Sequence, residues 1–210
     1  MTSLPGRFLS LEGGEGVGKS TQMRALAAAL RGRGIDVVET REPGGSEGGE
    51  AIRRLLLEGG ADRWTPHTEA LLFAAARADH VARTIRPALA AGRWVLTDRY
   101  LDSSLAYQGG ADAVGADAIR TLHAIGSEGL LPDRTLLLAL PVAQATARAA
   151  SRDAGRTDRF GARDAAYHER VASAFRALAD ADPVRFRIIP ANGSPNVVTA
   201  ALFAAVADLL

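Results

Sequence analysis

The chain has 210 residues, 47% hydrophobic and 23% charged, with a formal net charge of +1. That length suffices for one domain with a full core, and the charge balance gives no global field toward nucleic acid or a membrane surface. Cysteine is absent, which excludes disulfides, thiolate metal sites and thiol catalysis and fits a reducing cytoplasm.

The opening "MTSLPGRFLSLEGG" lacks the basic-then-apolar layout of a signal peptide. Residues 7–13 read as a short buried strand and residues 19–32 as a helix ending before Gly34. Between them, Gly13, Gly18, Lys19 and Ser20 satisfy G-x-x-x-x-G-K-[ST]. In that strand–loop–helix context, backbone N–H groups converge on phosphate oxygens and the helix N-terminus adds partial positive charge. Lys19, the one lysine in the chain, is expected to reach the β- and γ-phosphates, with the Ser20 hydroxyl on Mg²⁺. The same loop carries a carboxylate, Glu15, which has no obvious use among anions.

A second strand over 35–42 runs into "TREPGG" (40–45), and a helix is expected over 46–59. Residues 66–91 read as one long helix in which Leu71, Ala74, Ala78, Val81 and Ile85 form an apolar stripe. Phe73 lies about 200° around the helix from Leu71, on a face continuing through Arg77, His80 and Thr84. One turn apart, Phe73 and Arg77 meet. The ring offers stacking to a base and the guanidinium offers donors to a carbonyl oxygen. By pattern alone, packing of Phe73 against a neighbouring helix or a second copy is slightly favoured.

The third strand, 93–99, ends in "TDRY". Asp98 at its C-terminal end is expected near Mg²⁺, through water. Arg99, Ser103, Ser104, Tyr107 and Gln108 follow within "DRYLDSSLAYQGG" (98–110). Arg41 emerges at the same edge, and two arginines there suit a second phosphate-bearing substrate. Helices at 113–126, 141–153, 162–181 and 195–209 alternate with strands at 134–140 and 186–190. The most apolar segment, 197–210, is too short to span a bilayer. Residues 148–164 are rich in charge and glycine, a surface loop or a mobile lid; their arginines Arg148, Arg152, Arg156 and Arg159 would share one face of a helix.

The alternation predicts an α/β fold of the P-loop NTPase type: a five-stranded parallel sheet flanked by helices in three layers, one domain over 1–210 with a lid at about 148–162. Guanine reading through N-K-x-D is impossible, as is a doubled-lysine phosphate loop, because the only lysine is already used. Motor ATPases need more chain.

"LEGGEGVGKST", "TREPGG", "LLFAAARADH", "TDRYLDSSLAYQGG" and "DRF" together resemble the thymidylate kinases, in register from about residue 8 to 190. The resemblance implies phosphoryl transfer from ATP to dTMP with Mg²⁺ held at Ser20 and Asp98. It assigns ATP to Gly13, Gly14, Glu15, Gly16, Val17, Gly18, Lys19, Ser20 and Thr21. Phe73 would stack on thymine, Arg77 would bond its O4, and Ser104 and Gln108 would complete the base contacts. Arg99 would hold the acceptor phosphate with Arg41 close by, Tyr107 would lie against C2′, and Glu15 would accept from the 3′-hydroxyl. With no arginine in the phosphate loop, the resemblance is to the bacterial type, in which lid arginines supply the catalytic cation. Arg152 and Arg156 are favoured and Arg159 comes third, although Ala154 and Gly161 depart from the family pattern. The resemblance also implies a cytoplasmic homodimer through the helices at 46–59 and 66–91, with no nucleic-acid or membrane partner. Another P-loop kinase, of a deoxynucleoside or a different monophosphate, and an NTP-dependent switch are the alternatives.

Overall fold

All five apolar runs form strands: β1 (Phe8–Glu12), β2 (Val37–Arg41), β3 (Trp94–Asp98), β4 (Arg134–Ala139) and β5 (Phe186–Pro190). This is a computed structural model describing residues 6–60, 62–153, 159–161 and 163–210, with the backbone alone at Arg152 and Asp153. The strands make one parallel sheet in the order β2-β3-β1-β4-β5. Side chains alternate between its faces. Leu9 and Leu11 pack with Leu26, Leu30 and Leu202 on one face, while Phe8 packs with Val95, Ile85 and Tyr100 on the other. Both faces are therefore covered, as the continuous apolar character of the strands requires.

The helices are α1 (Lys19–Arg31), α2 (Glu47–Leu57), α3 (Pro66–His80), α4 (Arg86–Ala90), α5 (Leu101–Ser104), α6 (Ala116–Ser127), α7 (Val142–Asp153), α8 (Ala165–Ala181) and α9 (Pro195–Ala204). Two differences from the sequence reading matter. The expected helix over 66–91 is α3 and α4 joined by a π turn at Val81–Ile85, just before Pro87, which has no N–H to continue the α pattern. Its buried face is in part the polar one: Arg77 and His80 are buried beside Val81 and Ile85 of the apolar stripe, while Leu71 is 55% exposed. The second difference is a helix the sequence reading left out, α5 continuing into a π-helical stretch, Leu105–Ala111.

Topology positions the site. β1 and β3 are neighbours, with Leu11 beside Asp98, but β1 connects past β3 to β2 and β3 connects past β1 to β4. The chain leaves these two strand ends in opposite directions, opening a crevice at the sheet's C-terminal edge.

Candidate active site

The loop after β1 lines one wall of this crevice. Gly13 has φ +134°, and a Cβ there would lie 2.6 Å from Leu138 O; a Cβ on Gly16 would run into Ala145 O of α7. Only glycine lets the loop pass so close to β4 and α7. The Lys19 ammonium lies over the loop, donating to Gly13 O (3.1 Å) and Gly14 O (2.8 Å). Burial and the nearby Arg99 charge hold its pKa below the ordinary lysine value. The Ser20 hydroxyl donates to Asp98 Oδ2 at 2.8 Å, so the two expected metal-side groups do meet. Val17 is in the core, its Cγ2 3.2 Å from where a Gly13 Cβ would lie; Thr21 is exposed beside Ser20.

Arg99 joins this donor end to the opposite wall. It is a non-glycine residue at φ +72°, a left-handed conformation that costs energy. Its Nη2 donates to Glu15 Oε1 at 2.6 Å, and its Nη1 donates to Gly13 O and to Ser103 Oγ. The guanidinium also sits 5.1 Å from the centre of the Tyr107 ring. Burial pushes the Tyr107 phenol up to about 12. The Glu15 carboxylate is thus balanced by a cation from the neighbouring strand end.

At the far end, Arg77 is held rigidly. Its Nε donates to Glu42 Oε2 (2.8 Å), and its Nη2 donates to Ser104 Oγ (2.7 Å) and Tyr100 O (3.2 Å). Glu42 is itself fixed by His80, whose other ring nitrogen is paired with Thr40 Oγ1. Arg77 Nη1 has no hydrogen-bond partner among the described residues. The Phe73 ring meets Phe160 edge-on at 5.7 Å and is half-buried. Gln108 donates through Nε2 to Glu69. One cavity of about 670 Å³ includes Lys19, Ser20, Thr21 and Asp98 at one end and Phe73, Arg77, Ser104, Tyr107 and Gln108 at the other, with Glu15, Arg99 and Arg41 also on its walls. Arg41 is paired with Glu50 at 3.0 Å.

A larger cavity, about 780 Å³, lies among β4, α7, α8 and the phosphate loop, with Gly13, Gly14 and Val17 on its wall, and shares only Glu15 with the first. Its lining is mostly aliphatic, so the smaller cavity, with its convergent polar groups, is the better candidate.

Several lining groups escaped the sequence reading: Glu42, Arg53 and Phe160, and Glu12 behind them. Glu42 and Pro43 lie inside "TREPGG" and were the most readable of these. The Arg152 side chain and all of Arg156 lie outside the described residues. Arg148 donates to Ala191 O (3.0 Å). Arg159, the third lid candidate, is buried and donates to Leu56 O, Gly60 O and Glu69 Oε2, contacts that brace the acceptor wall.

A family model described as thymidylate kinase matches residues 11–202. The chain belongs to the thymidylate kinase family. The kinase is 70% identical to the Rhizorhabdus wittichii thymidylate kinase over 207 residues, 99% of this chain and 100% of that relative. It is 49% identical to the Caulobacter vibrioides thymidylate kinase, with 94% of each chain covered. Among solved structures, it resembles the thymidylate kinase of Ehrlichia chaffeensis with a TM-score of 0.78 at 28% identity, covering 96% of this kinase and 99% of that chain.

Proposed function

We propose that the kinase transfers the γ-phosphoryl group of ATP to dTMP, giving ADP and dTDP. The carrying observation is one cavity joining a phosphate loop to a recess where Arg77 Nη1 and Gln108 Oε1 lack partners among the described residues. Thymine matches that recess: O4 accepts from a guanidinium, N3–H donates to an amide oxygen, and its face stacks on Phe73.

The acceptor phosphate oxygen attacks the γ-phosphorus in line and the ADP oxygen leaves, so no side-chain nucleophile is needed. Lys19 and the loop N–H groups hold the donor phosphates. Arg99, aided by Arg41, holds the acceptor phosphate; Tyr107 lies against C2′ and Glu15 accepts from the 3′-hydroxyl. Ser20 and Asp98 are hard oxygen ligands 2.8 Å apart, a set that suits Mg²⁺ completed by phosphate and water oxygens. Bound there, Mg²⁺ would neutralise phosphate charge. Arg152 and Arg156 bring further positive charge from the lid. The exposed Leu55 on α2, Leu71 on α3 and Ile125 on α6 support a homodimer through this side of the molecule. No helix among the described residues is long and apolar enough to cross a membrane; with the absence of cysteine, this agrees with work in the cytoplasm.

An ADP-release assay across dTMP, dUMP, dCMP, AMP, GMP and thymidine tests the assignment. dTMP should give the highest kcat/KM; a clear preference for another acceptor, or ADP release independent of any, would refute it.

A further inference from the structure

Gln108 closes the base end of the cavity, and what faces the acceptor depends on which way round its amide stands. Nitrogen and oxygen of a carboxamide are nearly equal in size, so packing cannot choose between the two orientations and only a hydrogen-bond partner can. Here Gln108 Nε2 donates to Glu69 Oε1 at 3.1 Å. Both residues are buried, at 1% and 2% exposure. The other carboxylate oxygen, Oε2, accepts from Arg159 Nη2 at 3.1 Å. Arg159 is anchored by Leu56 O and Gly60 O, each 2.8 Å away. Burial raises the pKa of the Glu69 carboxyl, while the Gln108 amide and the Arg159 charge oppose this. With an N–H donor on each oxygen it accepts and does not donate, so the amide nitrogen turns to Glu69 and Oε1 is left for the cavity.

Resting on the reading of the acceptor given above, we propose that Glu69, held by Arg159, is a positioning residue for base selectivity: it fixes the Gln108 amide so that Oε1 meets the N3–H of an imide base. Thymine and uracil carry that N–H. Cytosine presents a lone pair at N3 and is repelled by the fixed carbonyl. Glu69 touches no substrate and is not among the cavity-lining residues; it acts through Gln108.

The test is steady-state kinetics of the full chain carrying Glu69→Gln, Gln108→Ala or both, with dTMP and 5-methyl-dCMP as acceptors. A glutamine at 69 can accept or donate, which frees the Gln108 amide to turn. KM for dTMP should rise about tenfold, the scale of one hydrogen bond, with kcat and KM for ATP nearly unchanged. Preference for dTMP over 5-methyl-dCMP should fall by a similar factor. In the Gln108→Ala background, Glu69→Gln should have no further effect on either quantity. Losses that add across the two sites, or that fall equally on both acceptors, would overturn the proposal. Should Glu69→Gln fail to fold, Arg159→Lys, which keeps the charge without the fork spanning three oxygens, is read the same way. Failure of the unsubstituted chain to use dTMP would instead refute the functional reading.

Discussion

Glu12, the last residue of β1, shows best how a single position escapes a sequence reading. It is fully buried and accepts from Tyr100 N–H (2.8 Å) and the Ser103 hydroxyl (2.6 Å). Burial, with the charge of Asp102, pushes its carboxyl up to about 8, against the pull of Ser103, Arg99 and Tyr100. A raised acid pKa means that the folded state binds the proton more tightly than the unfolded chain. Its contribution to stability is present below the ordinary carboxylate value and is lost as pH rises through about 8. Thermal melts should therefore show the unsubstituted chain losing more stability than Glu12→Gln between about pH 5 and pH 9. Parallel declines would contradict the assignment. In the sequence Glu12 is merely the end of an apolar run. One cation balancing Glu15 is Arg99, 84 residues away, a distance no local spacing reveals. Lys19 and Ser20 were legible because the motif fixes their geometry locally, and Asp98, 78 residues from Ser20, because it ends an apolar strand. The Gln108–Glu69–Arg159 chain was not, since its members meet only through the packing of α3 against the π-helical stretch after α5.

Among the elements, α5 and its extension were the largest omission. Every residue from Leu101 to Gln108 is buried, so no polar face alternates with an apolar one and helical periodicity has nothing to register. Yet this element carries Ser103, Ser104, Tyr107 and Gln108 into the cavity. It is pinned from behind by Asp102, which accepts from Arg185 Nη1 (2.6 Å) and Nη2 (3.0 Å) and from Thr135 Oγ1 (3.1 Å). Removing Asp102 takes two buried oxygens from the Arg185 fork and leaves it the more exposed Asp182, 2.9 Å away. Asp102→Ala should cost about 3–5 kcal/mol in urea unfolding, and a loss below about 1 kcal/mol would show that the anchor is dispensable. The long helix at 66–91 was legible as a helix, and its inward face in part: Val81 and Ile85 of the apolar stripe are buried and Leu71 is not. Glu42 reaches it from the loop after β2 and makes Arg77 and His80 core residues, displacing Leu71 to the surface.

For the whole molecule, strand number and direction followed from five short apolar runs separated by helices. The order β2-β3-β1-β4-β5 depends on long-range pairing and had to be observed. That order places the phosphate loop beside Asp98 and Arg99, on the crevice proposed above to receive both nucleotides. Leu55, Leu71 and Ile125 remain exposed at 41%, 55% and 76%, large apolar groups on helices that pack side by side. Sedimentation should give a dimer, and Leu71→Arg should shift it toward monomer; a monomeric unsubstituted chain would exclude this surface as a homodimer interface. The central claim is that the crevice hands a phosphoryl group from one nucleotide to the other. Incubation with γ-labelled ATP and dTMP, followed by separation of the products, tests it most directly. Label in dTDP, one for each ADP formed, is the expected result; label in inorganic phosphate at a rate indifferent to dTMP would contradict it.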